Sequence, residues 1–274
     1  MPHGETGASE SCVVCVGGCV VVQMTERDER MLNWLGVVRL ADMDAVRWAL
    51  AGFDGQASPV SLRRAQQWVA RLVEAGLLDR GRPTFRDGSI VWATFQVTGK
   101  AKPNLFKQTT RHEVAVASAS ARFIAGGAQW ARDRVPPTKA EHMADGAALR
   151  DGAVQLVEVE LTAKTLSRYQ AILPDHARRL QGGVERVVYL GTAEAMRAVG
   201  READRLVHPT WRSQIVTLPI FDVRGHLVDD SFTGVWETAP VPIEEPAAPV
   251  LSPPPLPEAL PPASASGSIW GGRD

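Results

Sequence analysis

Asp151-Gly152 lies between Leu149-Arg150 and Ala153-Val154, and it suits a two-residue turn whose central positions both take positive φ. Such a turn pairs Arg150 with Ala153, and counting back along the ladder places Asp145 opposite Glu158. Side chains alternate along a strand, so Glu158 and Glu160 share the face that Asp145 meets. Carboxylates directly opposite one another, with Cα atoms about 4.5 to 5.5 Å apart, repel. The pattern therefore calls for a compensating charge: a divalent cation bound by carboxylate oxygens, or Lys164 just beyond the strand. The plain alternative is a solvated polar strand face followed by a lysine at a helix start.

The chain has 274 residues, 45% of them hydrophobic, enough for one or two packed domains. Thirty basic and 31 acidic side chains give a formal charge of −1, so any contact with nucleic acid must come from local patches. All three cysteines, Cys12, Cys15 and Cys19, fall near the start without a neighbouring histidine, an incomplete set for a metal or iron-sulfur site. The apolar run from Cys12 to Val22 is too short to span a bilayer, and Glu5 and Glu10 precede it. Val16-Gly17-Gly18-Cys19 resembles a lipoprotein cleavage box only faintly, given that acidic lead. Residues 1–24 are read as an extension, disordered or left by an early start codon, with Met24 as the alternative start. At the other end, ten of the 19 prolines fall between Pro240 and Pro262, and residues 238–274 are read as an extended, disordered tail in which Trp270 is the one candidate anchor.

Residues 25–100 read as a winged helix-turn-helix. Thr25 caps a helix carrying Met31, Leu32 and Leu35; Asp42 caps a second carrying Val46, Ala49 and Leu50; Ser61 caps a third whose buried stripe is Leu62, Ala65, Val69 and Leu72. Gly76 suits the left-handed residue after the last turn. The opposite face of the third helix carries Arg63, Arg64, Gln67 and Arg71, side chains that suit base edges and phosphates in a major groove. Arg80, Arg82 and Arg86 then mark the base and tip of a wing that returns through a strand from Ile90 to Val97. The other reading is a polar helix face and solvated hairpin used for protein contacts.

Residues 104–225 read as a mixed-sheet α/β domain. A long helix from Leu105 to Arg132 carries His112, Val116, Ala119 and Phe123 on one stripe. The hairpin follows, then a helix from Lys164 to Leu180, a strand from Val187 to Leu190, a helix from Thr192 and a strand from Gln214 to Leu218. No strand is legible between the long helix and Asp145. His142, His176, His208 and His226 show no metal-ligand spacing, and neither a phosphate-cradling glycine loop nor a nucleophile elbow occurs.

An acid on one strand, Glu158-Val159-Glu160 on the next and Lys164 nearby resemble the restriction-endonuclease-like (PD-(D/E)XK) nuclease superfamily. With the winged-helix pattern ahead of it, and Val157 to Lys164 followed by Tyr169, the chain resembles the replication-relaxation protein family of bacterial plasmids and integrated elements over residues 25–225. That resemblance implies Asp145, Glu158 and Glu160 as ligands of Mg2+ or Mn2+, with Lys164 as the positive charge of a catalytic set. His112, Glu113, Arg168 and Tyr169 are further candidates for the shell, and His112 reads equally as a hydrogen-bonded side chain on the helix face. Glu160 stands where the superfamily usually has lysine, and Ala144 where it usually has proline. The implied function is a DNA-binding protein of mobile-element replication or transfer. It would act as a metal-dependent DNA phosphodiesterase or nickase, or as a non-enzymatic regulator or accessory factor. Expected partners are double-stranded DNA, replication or conjugation proteins and a second copy of the chain, with no membrane and a cytoplasmic location.

Overall fold

The computed structural model describes residues 12–16, 20–135, 138 and 141–228, all within one compact unit, Met1–Thr238. Residues 1–11 of the proposed extension, Cys19, and the proline-rich tail from residue 238 onward lie outside the described residues. The remainder of that extension contains an antiparallel pair, β1 (Cys12–Val16) and β2 (Val20–Met24).

The helix starts follow the capping residues. α1 (Glu26–Val38) opens on a capping box: the Asp28 N–H donates to Thr25 Oγ1 at 3.2 Å, and the Thr25 N–H donates to Asp28 Oδ2 at 3.0 Å. After β3 (Ala41–Asp42), Asp42 caps α2 (Met43–Phe53), its Oδ1 accepting from the Ala45 N–H at 2.8 Å. Ser61 caps α3 (Leu62–Glu74), which ends ahead of Gly76 at φ 72°. Two expectations change here. Leu62 is 48% exposed, because at the first helical position it lies ahead of the buried stripe, and Trp68 joins Ala65, Val69 and Leu72 in the core instead. The strand expected from Ile90 to Val97 stops early: β4 (Leu78–Gly81) pairs with β5 (Ile90–Ala93), after which the chain turns into the short helix α4 (Phe95–Thr98). β3, β5 and β4 form one antiparallel sheet in that order, with α1 to α3 packed around it.

The second sheet follows α5 (Gln108–Ala125), which is shorter than the helix expected from Leu105 to Arg132. Gly126 and Gly127, the latter at φ 88°, end it, and the chain enters β6 (Gln129–Ala131), the strand that was not legible before Asp145. β7 (Gly146–Arg150) and β8 (Ala153–Glu160) have the register that the turn demands, Arg150 against Ala153, with Asp151 and Gly152 at φ 51° and 82°. α6 (Leu166–Gln181), β9 (Arg186–Gly191), α7 (Ala193–Leu206), α8 (Pro209–Arg212) and β10 (Ile215–Leu218) complete a five-stranded sheet in the order β10-β9-β8-β7-β6. β6, β7 and β8 run as an antiparallel meander, while β8, β9 and β10 are parallel. The fold is mixed α/β.

The position of α5 explains its composition. Ala117, Ala121 and Ile124 belong to the core built by α1, α2 and α3, whereas Ala115, Val116, Ala119 and Phe123 belong to the core beneath the five-stranded sheet. A helix buried on two sides needs small side chains, and the run from Ala115 to Ala121 supplies them. Polar ties reinforce the junction: the Trp34 indole N–H donates to Ser120 Oγ at 2.9 Å, and Arg122 reaches Asp44 at 2.8 Å. α2 approaches α5 so closely that a Cβ on Gly52 would lie 2.6 Å from the Ala125 nitrogen. Gly52→Ala should therefore cost about 1 to 3 kcal/mol through overpacking, lowering the thermal midpoint by several degrees in a calorimetric scan. An unchanged midpoint would mean that the two helices yield freely.

Candidate functional site

β8 is the middle strand of the larger sheet, and its alternation sets the site. Val157 and Val159 point into the core shared with α5, while Leu156 joins the opposite core among Tyr169, Leu173 and Tyr189. Glu158 and Glu160 follow Leu156 on that face, 2% and 4% exposed. Two carboxylates have been carried into an apolar layer, and an unpaired charge there is expensive. Each is answered by a basic partner.

Glu158 Oε1 lies 2.6 Å from His142 Nε2 and 3.2 Å from His176 Nε2. Burial works to raise its pKa, and the two imidazoles beside it outweigh that effect, holding the carboxyl at about 2. His176 is fully buried in α6, with its Nδ1 2.9 Å from the Tyr189 hydroxyl of β9. Burial among apolar and acidic neighbours keeps that phenol well above its usual pKa. His142 comes from the segment before β7, where its N–H donates to Asp175 Oδ2 at 3.3 Å.

Glu160 is ion-paired with Lys164, whose ammonium is pushed below its usual pKa by burial despite the acids around it. Tyr169, 2% exposed, supports this turn by accepting the Lys164 N–H at 3.0 Å, while Arg168 is exposed. Asp145 precedes β7, and the ladder extended by one residue sets it opposite Glu158, as its sequence position requires. Its side chain turns instead to the rim, where Oδ2 accepts the Val159 N–H at 2.8 Å and lies 3.1 Å from His112 Nε2. Burial lowers the pKa of His112, but Asp145 and the Val159 carbonyl outweigh it and raise the net value. His112, Glu113 and Asp145 line a cavity of about 180 Å³ together with Arg39 and Arg132.

Among the described residues, the group of three ligating side chains whose donor atoms lie within 4.8 Å of one another is His142, Glu158 and His176. Asp145, Glu158 and Glu160 do not form such a group. A magnesium ion seeks several converging oxygens, and these three acids point to three different basic partners, so the set does not fit it. His142 and His176 show no metal-ligand spacing in the chain, yet the fold brings both to one carboxylate. Local spacing carries no signal of a contact made by folding a loop and a helix onto a strand.

The basic face of the smaller sheet region is partly as expected. Arg63, Arg64 and Gln67 on α3 are exposed, as are Arg80 and Arg82 on and beyond β4. Arg64 lies 3.6 Å from Asp54 and remains 55% exposed. Arg71 and Arg86 have acidic partners within the fold. Arg71 donates to the fully buried Asp28 at 2.6 Å, alongside the Trp68 indole N–H at 2.8 Å, and Arg86 turns inward to pair with Asp42, only 11% exposed. Both are held by acids distant in sequence.

No helix among the described residues is long and apolar enough to cross a membrane. No family model matches the chain, and no curated protein or solved structure is significantly similar to it.

Proposed function

We propose that this chain is a double-stranded DNA-binding protein of the replication-relaxation type, working in the cytoplasm as a non-enzymatic regulator or accessory factor of mobile-element replication or transfer. On this reading, residues 25–100 are a winged helix-turn-helix and residues 104–225 a restriction-endonuclease-like domain retained for assembly. The order α1, β3, α2, α3, β4, β5, with β5 central in its sheet, supports the first assignment. The order α5, β6, β7, β8, α6, β9, with an antiparallel meander and a parallel fourth strand, supports the second. The observation that carries DNA binding is the exposure of Arg63, Arg64 and Gln67 on α3 together with Arg80 and Arg82 where the wing begins. The replication setting is inherited from the resemblance.

A metal-dependent phosphodiesterase is the second reading. It is favoured by Asp145, just ahead of β7, and the Glu158-Val159-Glu160 run on β8, the pattern on which the resemblance to the nuclease superfamily rests. The pairing of all three acids with basic side chains weighs against it.

One experiment separates the readings. The full chain is titrated against a fluorescent duplex at several salt concentrations, and in parallel incubated with supercoiled plasmid and Mg2+ or Mn2+. Salt-sensitive duplex binding without nicking is the expected result. Nicking that disappears in both Asp145→Ala and Glu158→Ala would establish the second reading, and absence of duplex binding by folded protein would remove the first.

A further inference from the structure

We propose that His142, Glu158 and His176 form a binding site for a single first-row transition ion of the zinc class. The site stands apart from the DNA-binding reading and does not depend on it. Three elements converge on it: the segment before β7 supplies His142, β8 supplies Glu158 and α6 supplies His176.

The donor set selects the ion. Two imidazole nitrogens and one carboxylate oxygen suit Zn2+, Co2+ or Ni2+, whereas Mg2+ and Ca2+ prefer oxygen alone. A tetrahedral ion with bonds of about 2.0 to 2.1 Å separates its ligand atoms by roughly 3.3 Å. Glu158 Oε1 already lies 3.2 Å from His176 Nε2 and 2.6 Å from His142 Nε2, and the three donor atoms all fall within 4.8 Å of one another, spacings close to that separation.

The surroundings are built for ligation as well. His176 Nε2 is fully buried and has no aligned hydrogen bond, despite lying near Glu158. Its other nitrogen faces the Tyr189 hydroxyl, which would accept Nδ1–H and direct Nε2 at the ion, the outer-sphere arrangement typical of histidine ligands. His142, 18% exposed, is the side from which an ion and a water as fourth ligand enter. Binding requires each coordinating Nε2 to present its lone pair to the ion. The ion would staple a loop, a strand and a helix that are otherwise joined by hydrogen bonds.

The test uses the full chain, stripped with chelator and titrated with Co2+ while visible absorption is recorded, then with Zn2+ as competitor. A parallel preparation with Cys12, Cys15 and Cys19 replaced by serine removes the thiols as rival ligands. One equivalent of Co2+ with a four-coordinate spectrum, displaced by Zn2+, is expected in both preparations. Binding should fall at least 100-fold in His142→Ala, whose partly exposed position lets the variant fold, and persist in Asp145→Ala. Zn2+ should also raise the thermal midpoint of wild type by about 5 °C and leave that of His142→Ala unmoved. Binding that vanishes with the cysteines, survives His142→Ala, or is seen for Mg2+ alone and depends on Asp145 would overturn the proposal.

Discussion

Asp133→Ala is expected to be the most destabilising single truncation near the site, costing about 3 to 5 kcal/mol. Asp133 is 6% exposed and accepts both terminal nitrogens of Arg179, at 2.5 and 2.7 Å, along with the Ala144 N–H at 2.8 Å. This carboxylate joins the start of the segment that carries His142 and Asp145 to helix α6, which carries His176. Removing it leaves a guanidinium only 12% exposed without its partner, together with an unpaired N–H. For a unit of this size, the loss corresponds to roughly 10 °C in thermal midpoint. A drop of 2 °C or less would show that water replaces the carboxylate without cost.

The same residue sets an acid limit. Burial works to raise the pKa of Asp133, but Arg179 and the Ala144 and Arg134 N–H groups prevail and hold it below its ordinary value of 3.8. Asp28 is lowered likewise, its burial outweighed by Thr25, Trp68 and Arg71. A depressed folded-state pKa contributes stability that is complete above the unfolded value and is lost as pH falls through the folded one. Wild type should therefore lose stability steeply as pH drops past 3.8, and Asp133→Asn should flatten that limb when denaturant midpoints are compared across acid pH.

What was legible in the sequence was what short-range chemistry decides. The Asp151-Gly152 turn fixes the register of β7 on β8 because only positive φ closes a two-residue loop there, and Thr25, Asp42 and Ser61 cap helices through bonds to residues three positions on. Contacts that join distant segments were not legible. Nothing near Arg71 on the third helix or Arg86 in the hairpin announces their partners Asp28 and Asp42. The three acids read as one cluster because the ladder does align them; their separate partners, His112, Lys164 and the pair His142 and His176, come from two helices and two loops. β6 was missed because three residues after a glycine pair carry too little periodicity to distinguish a strand from a helix end.

Charge reversal at Arg63 and Arg82 together is expected to weaken duplex binding by at least 100-fold. The formal charge of −1 supplies no long-range attraction, so on the proposed DNA-binding reading the affinity would rest on the cations exposed on α3 and on and beyond β4. Each arginine that meets a phosphate or base edge is worth roughly 1 to 3 kcal/mol, and a glutamate in its place adds repulsion from the backbone. Each lost phosphate contact should also reduce the slope of log affinity against log salt by about 0.9, so the double variant should bind with a slope shallower by about 2. Arg86→Ala is the informative control: its guanidinium is spent on Asp42 beneath the wing, so truncation should lower the thermal midpoint while leaving the salt slope of the folded protein unchanged. If Arg86→Ala reduces the slope and the reversal of Arg63 and Arg82 does not, DNA lies on a different face and the groove-reading role of α3 is wrong.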